Sequence, residues 1–139
     1  MNKIALFLAL LPLVACSSEA TYKWKVAKIV DGDTIVVEEQ FFPPELGKIN
    51  IRIQGIDTPE SGSRAKCDKE RQLAEQAKTL VNKLMKPGDT VSVSNVKRDK
   101  FGNRVVANVF ANGTNIGSAL LERKLARPYN GEKKQSWCD

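Results

Sequence analysis

The sequence predicts an α+β, mainly β fold: a five-stranded barrel with a long helix between its third and fourth strands and a short helix after its fifth. Three observations predict it. Short stretches rich in β-branched and aromatic residues alternate between apolar and polar positions, as half-buried strands do. The one long stretch with helical spacing falls between the third and fourth of them, and turn residues such as Asp31-Gly32, Pro43-Pro44 and Pro87-Gly88 separate the pieces.

The first strand covers Tyr22 to Val30, with apolar residues at 22, 24 and 26 and, after a slip, at 29 and 30. Asp31-Gly32-Asp33 reads as the turn of a hairpin whose second strand is Thr34-Ile35-Val36-Val37-Glu38. Lys48 to Gln54 alternates without a break, placing Ile49, Ile51 and Ile53 on one face and Asn50, Arg52 and Gln54 on the other. Ser61-Gly62-Ser63 is the expected helix opening, Leu73, Ala77, Leu80, Val81 and Leu84 its apolar stripe, and Pro87-Gly88 its stop. Thr90 to Val96 and Val105 to Phe110 form the last two strands, joined by a basic hairpin tip at Lys97 to Arg104, and Ile116 to Arg123 forms the short helix. This order matches an oligonucleotide/oligosaccharide-binding (OB) barrel.

Composition narrows the chemistry. The chain has 139 residues, 42% hydrophobic and 27% charged, an ordinary balance for one folded domain rather than a disordered or membrane-spanning chain. It contains no histidine, which excludes Ser-His-Asp triads, Cys-His nucleophiles, His-ligated zinc and His general bases. The formal net charge of +6 favours acidic partners, nucleic acid among them. Residues 1–15 read as an export signal: Lys3 precedes an apolar run, Ile4 to Ala15, shorter than the roughly 20 residues that span a bilayer. Leu13-Val14-Ala15-Cys16 resembles a bacterial lipoprotein processing site, which implies a lipid anchor on Cys16 and, with Ser17 beside it, an outer-membrane destination; the plain alternative is a cleaved secretory peptide with Cys16 incidental. A tether over 16–21 and a single domain over 22–139 complete the expected organisation, facing the periplasm or the cell exterior. With Cys16 lipidated, Cys67 and Cys138 remain as an even pair in an oxidising compartment, and a disulfide between them is expected. Closing a loop of about 70 residues contributes roughly 4 kcal/mol in the chain-entropy model.

Three separated clusters carry candidate chemistry: Asp31-Gly32-Asp33-Thr34, Arg52 to Glu60, and Asp99 to Arg104. Each alone is usually a turn, a loop before a helix cap, or a solvated hairpin tip. Together they are complementary. Asp33 and Asp57 offer hard oxygen ligands suited to calcium, Glu60 stands three residues past Asp57 beyond a rigid Pro59 and can act on a nearby water, and Arg52 and Arg104 present planar forks for phosphate oxygens. Lys97, Arg98 and Lys100 supply positive charge, and Phe101 and Tyr129 are candidate stacking partners for bases. Trp24, Trp137 and Tyr22 are assigned to packing.

On these motifs, over about residues 24 to 131, the sequence resembles the staphylococcal-nuclease (thermonuclease) family. The resemblance implies calcium-dependent cleavage of DNA and RNA phosphodiesters, leaving 3′-phosphate ends. Asp33 and Asp57 would be carboxylate ligands, Thr58 a carbonyl ligand, Glu60 the catalytic carboxylate, and Arg52 and Arg104 the phosphate-binding arginines. Leu125-Ala126-Arg127 also follows the family's pattern. Three departures stand beside it: Phe101 replaces the hairpin tyrosine, Asn103 is inserted before Arg104, and Lys124 occupies a position where the family often has glycine. The family's third helix looks truncated or absent, with the Cys67–Cys138 link as its substitute. A monomer is the default expectation. The competing readings are a catalytically inactive barrel that binds nucleic acid or protein, and a structural envelope lipoprotein.

Overall fold

The computed structural model describes residues 19–41, 43, 45 and 47–139; the expected export signal, Cys16 and the first part of the tether lie outside the described residues. Strands β1 (Thr21–Ile29), β2 (Thr34–Glu38), β3 (Lys48–Ile53), β5 (Thr90–Arg98) and β6 (Arg104–Ala111) form a sheet ordered β3-β2-β1-β5-β6. Pairing of β3 with β6 closes it into a barrel. That closing ladder is parallel, and the other four are antiparallel. Two-residue strands β4 (Ile56–Asp57) and β8 (Arg127–Pro128) pair with each other, and β7 (Thr114–Asn115) extends the edge of β6. The barrel was legible from alternation; these short bridges were not, since two residues carry no period.

Alternation along β3 does two jobs. Ile51 and Ile53 enter the core, which they share with Val26, Ile35, Val37, Val91, Val93, Ala107 and Val109. The same pleat turns Arg52 to the opposite face. Helix α1 (Asp68–Leu84) covers one end of the barrel with Ala77, Leu80 and Val81, and α2 (Ile116–Glu122) adds Ile116 and Leu120. Among the described residues no helix is long and apolar enough to cross a membrane.

The long helix starts later than the sequence suggested. Ser61 provides no side-chain cap, Gly62 sits at φ +59°, and only a single 3-10 turn forms over Gly62–Arg64 before Ala65 returns to extended backbone. Helix α1 begins at Asp68, with the Cys67 sulfur accepting the Glu70 N–H at 3.4 Å as its cap. Cys67 also pairs with Cys138, Cα to Cα 5.9 Å, so the tail is fastened to the start of α1. Residues 129–139 contain no helix.

Gly32 serves close packing rather than the left-handed turn that the Asp-Gly signal suggested. A Cβ built there would meet the Ala77 Cβ at 2.9 Å and the Thr58 Cγ2 at 3.1 Å. The Asp31–Asp33 turn is therefore pressed between α1 and the loop after β4, which brings Asp33 beside Asp57 and Thr58. Gly32→Ala should lower stability by about 1–3 kcal/mol, the usual scale for overpacking. Gly102→Ala, where a Cβ meets nothing within 4 Å, is the control. Chemical denaturation of both variants checks this, and equal midpoints would refute the close-packing role.

Candidate active site

Arg52 is the hub. On β3 its side chain is only 14% exposed, and Nη1 donates to the backbone carbonyls of Ile53 at 3.3 Å and Ile56 at 2.9 Å. Nη2 lies 3.5 Å from Asp33 Oδ2 and 3.8 Å from Asp57 Oδ1, within ion-pair range, yet it makes no hydrogen bond among the described residues. Anchoring one nitrogen to the backbone fixes the guanidinium plane and leaves the other nitrogen's hydrogens available to an incoming oxyanion.

Asp33 is held where β2 leaves the turn. Its Oδ1 accepts the Thr34 hydroxyl at 2.9 Å, its Oδ2 accepts the Thr58 N–H at 3.3 Å, and its carbonyl accepts the Ile53 N–H at 2.8 Å. Asp57 sits on β4 and Thr58 follows it; both are buried. Because Asp33 and Asp57 face one nitrogen of Arg52, their carboxylates are near neighbours. Glu60, a third exposed at its side chain, contacts Arg64 Nε at 3.2 Å and Lys134 Nζ at 3.3 Å. Its own N–H donates at 3.0 Å to the buried carboxylate of Glu70, which also accepts the Lys66 N–H at 2.8 Å. Glu70 thus sets the backbone of the loop that carries Glu60, a role its helical periodicity does not reveal.

The second arginine approaches across the barrel seam. β3 and β6 pair with Asn50 opposite Arg104 and Arg52 opposite Val106, so Arg104 and Arg52 project from one face. Asp99 holds Arg104 Nε at 2.5 Å, and the guanidinium lies 4.6 Å over the Phe101 ring. Burial pushes the Asp99 carboxyl up, but the hydrogen bond from Arg104 and the Lys100 and Phe101 N–H groups outweigh it and hold it below the usual value. The insertion at Asn103 is absorbed in the tip, where the Arg104 N–H closes onto the Phe101 carbonyl at 3.1 Å. Phe101 is 55% exposed rather than packed on its own strand.

Asp33, Arg52, Glu60, Lys100, Phe101, Arg104 and Tyr129 line one cleft of about 660 Å³. Tyr129 has the Arg52 guanidinium 5.6 Å from its ring centre. Asp57 and Thr58 face an adjoining cavity, which shares Glu60, Arg64 and Lys134 with the cleft. Lys97 and Arg98 are exposed on β5 and do not line the cleft.

Four participants have no site role in the sequence reading: Asp31, which belongs to the hairpin turn, Arg64 and Lys134, which it does not single out, and Trp137, which it assigns to packing. In the structure Arg64 bridges Asp31 and Glu60 at 3.0 and 3.2 Å, Lys134 contacts Asp57 and Glu60, and Trp137 donates its indole N–H to Asp57 Oδ2 at 3.2 Å. Only the density of charge in 132–134 hinted at this.

The donor set fits a hard cation. It consists of carboxylate and carbonyl oxygens with no imidazole, and the buried Asp57 Oδ1 already faces cationic nitrogens, Lys134 Nζ at 2.8 Å and Arg52 Nη2 at 3.8 Å. No group of three or more His, Cys, Asp or Glu with metal-holding geometry occurs among the described residues, so an ion there would rely on two carboxylates, a backbone carbonyl and water. Asp31 shows the electrostatic pressure: burial first, then the charge of Asp33, raise its carboxyl from 3.8 to about 6, against the lowering effect of Arg64.

A family model described as staphylococcal nuclease homologue matches residues 50–137. Endonuclease YhcR of Bacillus subtilis (strain 168) is 31% identical over 118 residues, covering 81% of this chain and 9% of that protein. An uncharacterized endonuclease of Escherichia coli is 31% identical over 106 residues, covering 76% of this chain and 60% of that protein. The chain therefore spans less than two thirds of either relative.

Because the folded protein binds the Asp31 proton more tightly than the unfolded chain does, this group adds stability below about pH 4, and the contribution is lost as pH rises through about 6. Asp31→Asn should flatten that part of the stability curve in chelator. Urea denaturation at pH 4, 5, 6 and 7 measures it, and an unchanged slope between pH 4 and 6 would contradict the assignment.

Proposed function

The chain belongs to the staphylococcal nuclease homologue family, and from that premise we propose that it is an exported, calcium-dependent endonuclease that hydrolyses DNA and RNA phosphodiesters with little sequence preference. The observation that carries this reading is the meeting of Asp33 and Asp57 at Arg52, with Glu60 and Arg104 lining the same cleft as that arginine.

In this reading Asp33, Asp57 and the Thr58 carbonyl would hold Ca²⁺. When bound, that ion supplies positive charge against the scissile phosphate. Arg52 offers Nη2 to a phosphate oxygen while its Nη1 stays on the backbone, and Arg104, oriented by Asp99 and Phe101, grips from the neighbouring strand. Both stabilise the extra negative charge of the five-coordinate transition state. Glu60 takes the proton of the attacking water, while Arg64 and Lys134 hold its carboxylate in place. Lys100 adds charge along the strand, and Phe101 and Tyr129 stack on bases without regard to identity. Cleavage on the 5′-oxygen side, leaving 3′-phosphate ends, belongs to the same reading.

The remaining features are consistent with a life outside the cytoplasm. A lipid anchor on Cys16 would hold a single domain, residues 22–139, at the membrane, and an oxidising compartment would let Cys67 and Cys138 form their disulfide. The nuclease is taken to act as a monomer.

Purified protein incubated with single-stranded DNA should fragment it in calcium and cease in chelator. Glu60→Gln should lose about 10²–10⁴-fold in turnover, and Arg52→Ala or Arg104→Ala about 10²–10³-fold. Cutting that persists in chelator would refute the metal requirement, and wild-type turnover in Glu60→Gln would remove that carboxylate from the mechanism.

A further inference from the structure

Residues 132–139 form no regular secondary structure, yet they touch both oxygens of Asp57. The buried Trp137 donates its indole N–H to Oδ2 at 3.2 Å. Lys134 brings Nζ to 2.8 Å from Oδ1 and 3.3 Å from Glu60 Oε1. The segment is clamped on both sides. Arg127 lies 3.9 Å over the Trp137 ring and donates to the Ser136 carbonyl at 2.7 Å, Cys138 pairs with Cys67, and Lys69 reaches the Asp139 carbonyl.

We propose that this C-terminal strap sets the affinity of the Asp33–Asp57 site for its divalent cation: Trp137 is a positioning residue that fixes the Asp57 carboxylate, and Lys134 is a tethered ammonium that the cation displaces. The inference rests on the calcium reading given above and goes beyond it by naming what tunes the site.

Each half follows from geometry. A carboxylate turns about its last side-chain bond. A donor locked on Oδ2 fixes that rotation and presents Oδ1, which meets only cationic nitrogens, Lys134 Nζ at 2.8 Å and Arg52 Nη2 at 3.8 Å. Outer partners of metal-binding carboxylates act in this way, and their loss typically weakens metal binding about 10–100-fold. Lys134 works in the opposite sense. Its ammonium already lies against Oδ1, and a dication at the same oxygen would bring two positive centres within about 4 Å, where repulsion in a partly buried site is strong. With its side chain 44% exposed, Lys134 has room to swing away.

The two roles give opposite signs in one measurement. Calcium chloride is titrated calorimetrically into the purified, oxidised protein without nucleic acid. Trp137→Phe, which keeps a ring under Arg127, should bind calcium about tenfold more weakly, whereas Lys134→Gln should bind it several-fold more tightly. A tail that only supports the fold would lower the melting temperature in chelator and leave both affinities unchanged, and that result overturns the inference, as does weaker binding by Lys134→Gln. Should Trp137→Phe fail to fold, the sign of the Lys134→Gln change decides alone. Wild-type protein that takes up no calcium overturns the metal reading and this inference together; wild-type uptake with unaltered variants overturns only the inference.

Discussion

A single buried guanidinium holds the site in register. Arg52 contacts the carboxylates of the turn before β2 and of β4 while its other nitrogen is bonded to the backbone that carries one of them. Without it, Asp33 and Asp57 would be buried like charges in a poorly solvated setting, which costs several kcal/mol unless a counter-ion or a proton intervenes. The raised Asp31 carboxyl shows that even with Arg52 and Arg64 present the acidic side is under strain. A site so arranged is stable only with cations in it, and the chain supplies three of its own in Arg52, Arg64 and Lys134.

What could be read from the sequence was what local patterns encode. Strict alternation over Lys48 to Gln54 predicted both the core face of β3 and the outward Arg52, and both hold. Helix α1 was visible from its apolar stripe, but its start was not. Ser61 looked like a cap, and the decisive facts were the left-handed Gly62 and a cysteine doing the capping at Cys67. The Asp-Gly hairpin signal pointed to the right turn for a different physical reason, since Gly32 is needed for contact with Ala77 rather than for its backbone angle. Roles that arise from the tail returning to the site, those of Lys134 and Trp137, have no local signature at all. They depend on a contact spanning some eighty positions, and a polar stretch with one tryptophan reads the same whether or not it makes that contact.

Glu70 shows the same limit inside a helix. Its position fits the polar side of α1, yet it is buried and accepts the N–H groups of Glu60 and Lys66. Here a carboxylate replaces water for two loop amides, which removes the penalty of burying them and fixes the loop's course. The partly exposed carboxylate at Glu60 and the buried one at Glu70 are chemically identical, and only their surroundings separate them.

The parallel seam between β3 and β6 has a consequence for how the molecule comes into being. It joins Asn50 to Arg104, so the chain must close a long loop before the ladder gives any return, and such non-local pairings form late. Until then the arginine from the second half of the chain has no fixed place beside the carboxylates of the first. Assembly of the cleft and completion of the cylinder are one event, and neither half of the polypeptide carries both arginines.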